Sequence, residues 1–123
     1  MVSGVASKVI LDTNSLIYSL KQKADINDLL FRLTEVAGVV VPKCVLQELE
    51  SMAGDVMFAK GAIALASRFP SIEGEGPADD CILELAVKNG YFILTNDREL
   101  LRRARKEGVR TLSFLGRKRI DFS

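Results

Sequence analysis

Four apolar segments without a regular alternation of polar and apolar residues stand out along the chain. They are Lys8–Leu11, Gly38–Val41, Tyr91–Leu94 and Arg110–Phe114. Continuous apolar runs of this length, partly β-branched, are typical of central strands that are covered on both faces of a parallel sheet. The pattern therefore predicts a sheet that is buried in the middle of the molecule.

Apolar residues at helical spacing predict helices between these strands. One helix has an apolar face running from Leu29 to Val36, with Asp25 or Asn27 as its N-cap. The others are predicted around Val45–Leu49 after Pro42, over residues 55–68, from Pro77 to Lys88 and over Arg98–Lys106. Asn89-Gly90 predicts a left-handed end to the helix before it, and Pro70–Gly76 is predicted to be a loop.

The order of the predicted elements, β-α-α-β-α-α-α-β-α-β, indicates an α/β fold. We expect a three-layer αβα sandwich with a central, mostly parallel sheet. The length of 123 residues, of which 48% are hydrophobic, suits one domain over residues 1–123. No apolar stretch reaches the roughly 18 residues of a membrane helix, and no signal segment is visible. We therefore expect a cytoplasmic protein without a membrane partner.

Charge is distributed unevenly although the net charge is only +1. Residues 1–97 carry eight basic and thirteen acidic side chains, whereas residues 98–123 carry nine basic and three acidic ones. An acidic body with a basic C-terminal end is one mark of nucleic-acid contact. The alternative is that the basic residues simply form the solvated face of a last helix.

The two cysteines, Cys44 and Cys81, lie in apolar surroundings, and the chain has no histidine. A structural zinc site would therefore need two thiolates and carboxylates, which is an unusual ligand set. We expect buried, reduced cysteines that behave as small apolar residues.

Carboxylates follow the predicted strands. Asp12 comes directly after the first strand, and Asp97 follows the third within the segment Thr95-Asn96-Asp97. Glu48 lies about a turn and a half into the helix after the second strand, and Asp79 and Asp80 begin the helix before the third. Because ligands bind beyond the carboxyl ends of parallel strands, these acids can converge at one edge of the sheet. An all-oxygen site of this kind selects Mg²⁺ or Mn²⁺, which points to phosphodiester chemistry.

Each acid also has a structural interpretation. Asp12 could cap a short helix, Asn96-x-x-Glu99 resembles a capping box, and Asp79 and Asp80 could favour a helix dipole. Glu48 could be an ordinary surface residue, and capping does not account for it. Both interpretations stay open from the residues alone.

Four blocks of the sequence, in this order, resemble the PIN-domain nucleases. They are Asp12-Thr13-Asn14 after a strand, Val41-Pro42 through Glu48-Leu49, Ala78-Asp79-Asp80 through Ala86, and Ile93-Leu94-Thr95-Asn96-Asp97 through Leu100. The resemblance covers nearly the whole chain. Within the family, the third block and the basic segment Gly116–Arg119 are more similar to the archaeal and eukaryotic branch of ribosomal RNA processing than to the VapC-type toxins.

The resemblance implies a metal-dependent endoribonuclease. Asp12, Asp79 and Asp97 would bind one or two Mg²⁺ or Mn²⁺ ions, and Glu48 would bind the metal or orient the attacking water. Four polar residues would support these acids: Asn14, Asp80, Thr95 and Asn96. The similarity favours Asp79 over Asp80 as the ligand.

RNA is the expected partner, and basic residues near the acids would position its backbone by charge. The candidates are Lys43, Arg98, Arg102 and Arg103. No aromatic platform is evident near the acids, so Tyr18, Phe31 and Tyr91 are expected to be core residues. The apolar segment Val56–Phe69 is either a homodimer face or part of the core.

Two other functions compete with this one. A phosphoacceptor module would need a pair of acids after the first strand and a lysine after the last, and neither is present. A catalytically silent RNA-binding or assembly module with the same fold stays open, as does a toxin-type ribonuclease acting on tRNA or mRNA.

Overall fold

Six strands form one sheet in the computed structural model, which describes residues 6–52, 54, 58–116 and 118–123. The strands are β1 (Ser7–Leu11), β2 (Val36–Pro42), β3 (Ser71–Ile72), β4 (Phe92–Leu94), β5 (Thr111–Phe114) and β6 (Ile120–Phe122). The helices in this part of the chain are α1 (Thr13–Gln22), α2 (Ile26–Leu30), α3 (Lys43–Met52), α4 (Ala59–Ala66), α5 (Ala78–Asn89) and α6 (Arg98–Lys106).

The strand order β3-β2-β1-β4-β5-β6 puts β1 and β4 at the centre of the sheet. Ile10 is in register with Val40 of β2 on one side and with Ile93 of β4 on the other. Every neighbouring pair is parallel except β5 and β6, which are antiparallel. The chain moves outward from β1 to β2 and later returns to β4 on the opposite side. This reversal opens a crevice at the carboxyl ends of β1 and β4.

The central strands are covered on both faces. Val9, Ile10 and Leu11 are completely buried, and successive residues of a strand point to opposite faces of the sheet. Ile93 and Leu94 of β4 are completely buried as well. The predicted α/β sandwich with a mostly parallel sheet is therefore confirmed, and its fully buried central strands end at the crevice.

The predicted elements match the structure except at three places. Strand β3 lies inside the predicted loop Pro70–Gly76, and β6 was not predicted. The helix predicted to extend to Val36 ends at Leu30, because Val36 begins β2 and pairs with Ser7. Residues 55–57 of another predicted helix lie outside the described residues, and that helix is described from Ala59 to Ala66.

The prediction of reduced cysteines is wrong. Cys44 of α3 and Cys81 of α5 are buried, as expected, but they form a disulfide with Cα atoms 6.7 Å apart. This separation lies within the range that a disulfide can bridge. The two cysteines are 37 residues apart in the sequence, so their proximity could not be predicted from it. Only the packing of α3 against α5 brings them together.

Two further expectations concern exposed surfaces. Phe31 is 87% exposed, so its assignment to the core is wrong, whereas Tyr18 and Tyr91 are half-buried. In α4, Ala59, Ala62 and Ala66 are buried within the chain. This part of the segment Val56–Phe69 belongs to the core, and residues 56 and 57 lie outside the described residues. A homodimer stays a prediction.

The helices of the described segments are too short or too polar to cross a bilayer.

Candidate active site

Asp12 is the buried member of the acidic group. It follows β1 and is the N-cap of α1, where its Oδ1 accepts a hydrogen bond of 2.7 Å from the backbone N–H of Ser15. Only 5% of the residue is exposed. The carboxylate is thus held at the bottom of the crevice, and capping and a functional role coexist because each oxygen can accept more than one contact.

Thr95 connects Asp12 to Asp97. The Thr95 hydroxyl donates to Oδ2 of Asp12 and accepts a hydrogen bond of 3.0 Å from the backbone N–H of Asp97. Thr95 itself is completely buried at the end of β4. The two acids after neighbouring strands therefore share one fixed hydroxyl, and both face the same edge of the sheet.

Asp97 is also the N-cap of α6. Its Oδ1 accepts a hydrogen bond of 2.9 Å from the backbone N–H of Leu100. The capping box that the sequence suggested at Asn96 is wrong, because the N-cap of α6 is the following residue, Asp97. Asn96 instead pairs with the backbone of Phe114, donating to its carbonyl at 3.0 Å and accepting from its N–H at 2.8 Å. Asn96 thereby fixes the end of β5 next to the end of β4.

Glu48 reaches the group from α3. Its Oε1 accepts a hydrogen bond from the Thr13 hydroxyl, and Thr13 directly follows Asp12. The side chain of Glu48 thus points toward the start of α1, although the residue is exposed. This contact connects α3 to the crevice. It gives Glu48 a place in the acidic group, which helix capping could not do.

Asp79 and Asp80 occupy the first turn of α5 and have different surroundings. Asp80 forms an ion pair of 2.6 Å with Arg103 of α6. Asp79 is influenced by the negative charges of Asp97, Glu48 and Asp80, and Arg103 partly offsets them. Asp79 is therefore the residue of the pair whose pKa responds to the other acids, while Asp80 anchors α5 to α6.

Burial and mutual repulsion perturb the two central acids. Burial raises the pKa of Asp12 above 3.8, the hydrogen bonds from Ser15 and Thr95 oppose this rise, and Asp79 adds to it. Partial burial raises the pKa of Asp79, and the carboxylates of Asp97 and Glu48 raise it further. Acids from four different elements thus interact through their charges at one edge of the sheet, an arrangement that a cation would stabilise.

The acids do not form a closed cage for a metal. No group of three acidic or cysteine side chains has the geometry to hold one ion, within residues 6–52, 54, 58–116 and 118–123. Mg²⁺ is commonly held by only one or two carboxylates and keeps several of its waters. The oxygen donors present therefore fit an ion that is bound largely through water.

Three of the four basic candidates already contact a carboxylate. Lys43 lies 2.7 Å from Glu73, Arg102 lies 2.5 Å from Glu99, and Arg103 pairs with Asp80. Arg98 is exposed at the start of α6, directly after Asp97. Exposed ion pairs contribute about 0–1 kcal/mol, so a phosphate can replace these partners at little cost. RNA binding by the four residues stays a prediction.

Three residues that support the acids were not predicted. Thr13 holds Glu48, and Ser15 holds Asp12 while its hydroxyl donates to the Leu94 carbonyl at 3.0 Å. Ser113 of β5 donates to the Thr95 carbonyl at 2.7 Å. The position of Thr13 and Ser15 beside Asp12 was a usable signal, because hydroxyls in a first helical turn often cap or orient side chains. Nothing near Ser113 in the sequence connects it to Thr95.

In metal-free protein we expect Asp79→Asn to increase the free energy of unfolding at pH 7. The folded state raises the pKa of Asp79, so the folded protein binds this proton more tightly than the unfolded chain. The tighter proton binding stabilises the folded state at low pH, and this stabilisation is lost as the pH rises through the raised pKa of Asp79. Urea unfolding in EDTA from pH 4 to pH 8 measures the effect. Equal pH dependence in variant and wild type would contradict it.

Comparison with known proteins assigns the family. The sequence model of the family described as PIN like domain matches residues 9–117. Ribonuclease VapC9 of Archaeoglobus fulgidus is 34% identical over 104 residues, which cover 81% of this chain and 77% of that protein. The rRNA-processing protein fcf1 of Schizosaccharomyces pombe is 33% identical over 116 residues, which cover 89% of this chain.

The aligned part of fcf1 is 60% of its length, so this chain spans about three fifths of that relative. A solved structure of the PIN domain endonuclease Utp24 superposes with a TM-score of 0.81 at 29% identity, covering 94% of this chain and 90% of that one. One of the two sequence relatives is named as a ribonuclease and the other as an rRNA-processing protein. The match to most of the chain, the relatives and the shared fold lead to one conclusion: the chain belongs to the PIN-domain family of nucleases.

Proposed function

We propose that this protein is an endoribonuclease that hydrolyses RNA phosphodiester bonds with the help of Mg²⁺ or Mn²⁺. The observation that carries the proposal is the electrostatic coupling of Asp79 to Asp97, Glu48 and Asp12 beside a crevice between two central strands. Such repulsion destabilises the protein unless a cation or a proton compensates for it. Membership of a nuclease family supports the same chemistry.

Asp12, Asp79, Asp97 and Glu48 are the residues that would hold the ion, partly through water. A divalent ion supplies an activated water at neutral pH and offsets negative charge on the phosphate. The protein contributes orientation: Ser15 and Thr95 fix both oxygens of Asp12, and Thr13 directs Glu48 into the crevice. Glu48 is exposed and is suited to orient the attacking water.

The polar neighbours would act indirectly. Thr95 positions Asp12, Asn96 positions the end of β5, and Asp80 holds Arg103 near Asp79. Asn14 is exposed in the first turn of α1, within reach of a bound substrate. Arg98 is the cation best placed for a phosphate. Lys43 and Arg102 would exchange their exposed carboxylate partners for RNA, and Arg103 would contact RNA while it stays paired with Asp80.

The relatives support two kinds of RNA target. Similarity to fcf1 and Utp24 favours a role in ribosomal RNA processing, and similarity to VapC9 favours a toxin-type ribonuclease acting on tRNA or mRNA. We favour ribosomal RNA processing in the cytoplasm. A catalytically silent RNA-binding module is the second candidate, because the acids in the described segments lack a three-ligand metal geometry.

Incubation of a labelled single-stranded RNA with the purified protein tests the proposal. We expect internal cleavage with Mn²⁺ or Mg²⁺, none in EDTA, and at least a tenfold loss of rate in Asp79→Asn. Asp79 suits this test because the structure gives its side chain no hydrogen bond within the described segments, so the fold should be unaffected.

Asp28→Asn is the matched control, since Asp28 is an exposed carboxylate of α2 outside the acidic group. This variant should cleave at the wild-type rate. RNA binding without metal-dependent cleavage would favour the silent module instead. Cleavage that persists in EDTA, or that Asp79→Asn leaves intact, would refute the proposed mechanism.

A further inference from the structure

A small cavity opens beside the acidic group. Its volume is about 180 Å³, and it is lined mainly by apolar atoms of Asn14, Ser15, Tyr18, Asn96 and Phe114. Ser15 holds Asp12, and Asn96 directly precedes Asp97. The cavity therefore adjoins the place where the proposed function puts the reacting phosphate.

Two aromatic rings form one wall of this cavity. The ring centroids of Tyr18 and Phe114 are 4.7 Å apart, and the ring planes are inclined by 53°. Tyr18 is half-buried and Phe114 is almost fully buried. Tyr18 is therefore the more accessible of the two aromatic residues, and Phe114 packs against it.

Hydrogen bonds on both sides hold the rings in place. The Tyr18 hydroxyl donates to the Gly116 carbonyl at 3.1 Å, and the Asn96 amide pairs with both backbone groups of Phe114. A wall that is ordered before binding loses little conformational entropy when a ligand enters. The arrangement is typical of a built binding surface.

The surroundings of the cavity indicate the chemistry of its occupant. The volume is below the roughly 300–1,000 Å³ of pockets that enclose a whole drug-sized ligand, so it suits a single flat ring system. The exposed amide of Asn14 carries donors and an acceptor at the rim. Lys118, two residues after Gly116, is exposed and carries a positive charge close in sequence to the carbonyl that Tyr18 contacts.

We propose that the cavity binds one nucleobase of single-stranded RNA, next to the phosphate held at the acidic group. The inference rests on the proposed function and names a subsite of the same site. Stacking on Tyr18 would accept any base, since every base has an aromatic face. The subsite therefore fixes which phosphate reaches the acids rather than reading a sequence.

A base-by-base fluorescence experiment tests the inference without any cleavage. A single 2-aminopurine is moved along a short single-stranded RNA, and binding to the wild-type protein is measured in EDTA. We expect the fluorescence to be quenched strongly at one position only. The Tyr18→Leu variant should lose this quenching and bind the RNA roughly tenfold more weakly, while Tyr18→Phe, which keeps the ring, should retain it.

An abasic nucleotide at the quenched position provides a second readout. The abasic RNA should bind the wild-type protein as weakly as the complete RNA binds Tyr18→Leu. The Tyr18→Leu variant should bind the abasic RNA and the complete RNA equally well. Melting temperatures verify that both variants fold. Quenching that is equal at all positions, quenching that persists in Tyr18→Leu, or absence of RNA binding would overturn the inference.

The experiment separates this inference from the proposed function. Metal-dependent cleavage without position-dependent quenching would refute the subsite alone. Position-dependent quenching in a protein that cleaves no RNA would refute the nuclease activity and leave the base-binding cavity established.

Discussion

Replacing Thr95 by valine is expected to lower the free energy of unfolding by about 2–4 kcal/mol and to weaken Mn²⁺ binding by about 10- to 100-fold. Thr95 is completely buried, and its hydroxyl joins Asp12 to the backbone of Asp97. Valine keeps the shape of the side chain but leaves Oδ2 of Asp12 and the backbone N–H of Asp97 without the hydroxyl as a partner. The cost exceeds that of one ordinary hydrogen bond because one of the partners is charged.

Two controls separate the hydroxyl from simple loss of stability. Thr95→Ser keeps the hydroxyl and removes one methyl group, so metal binding should stay close to that of the wild type. Thr111→Val removes another buried hydroxyl, one that contacts Ser123 rather than the acids. It should destabilise the protein without altering metal affinity. Urea unfolding and calorimetric titration with Mn²⁺ provide both measurements, and unchanged metal affinity in Thr95→Val would contradict the expectation.

Removing the disulfide is expected to have the largest effect on stability. A crosslink between residues separated by 37 positions constrains the unfolded chain by about 3–4 kcal/mol in the chain-entropy model. The double variant Cys44→Ala, Cys81→Ala should therefore unfold at a markedly lower urea concentration, with a melting temperature reduced on the order of 10 °C. Wild-type protein that is reduced while unfolded and refolded in dithiothreitol should show a similar loss.

The disulfide also affects the acidic group. Cys44 is one helical turn before Glu48, and Cys81 is two residues after Asp79. The crosslink thus sets the distance between the two helices that carry these exposed acids. We expect the double variant to bind Mn²⁺ more weakly than the wild type under conditions in which both are folded. Stability within about 1 kcal/mol of the wild type would show that the helices are held by packing alone.

The sequence predicts the acids at the ends of strands better than the acids that lie on helices. Asp12 and Asp97 follow apolar strands, and the rule that parallel strands end at the same edge is enough to bring them together. Glu48 and Asp79 come from helices, whose rotation about their axes depends on packing. Their convergence relies on Thr13 and on the contact between α3 and α5, which no local pattern encodes.

The missed features share a dependence on distant partners. Strand β3 has two residues, and β6 pairs antiparallel with β5 at the edge of the sheet, so neither has a hydrophobic pattern strong enough to detect. Asn96 fits a capping pattern in sequence but pairs with Phe114, 18 residues away. Tyr18 fits the core pattern, and its exposed face is revealed only by the cavity beside Phe114.

Gly74 lies directly against the disulfide. A Cβ atom at this position would come within 2.6 Å of the Cys81 sulfur and 3.7 Å of the Cys44 sulfur. The adjacent Glu73 is joined to Lys43 of α3 at 2.7 Å, which closes the loop over the crosslink. A dissolved thiol must approach a sulfur directly to exchange with it, so attack has to wait until this loop opens. Reduction of the folded protein should therefore become independent of reductant concentration at high thiol, with the rate of loop opening as its upper limit.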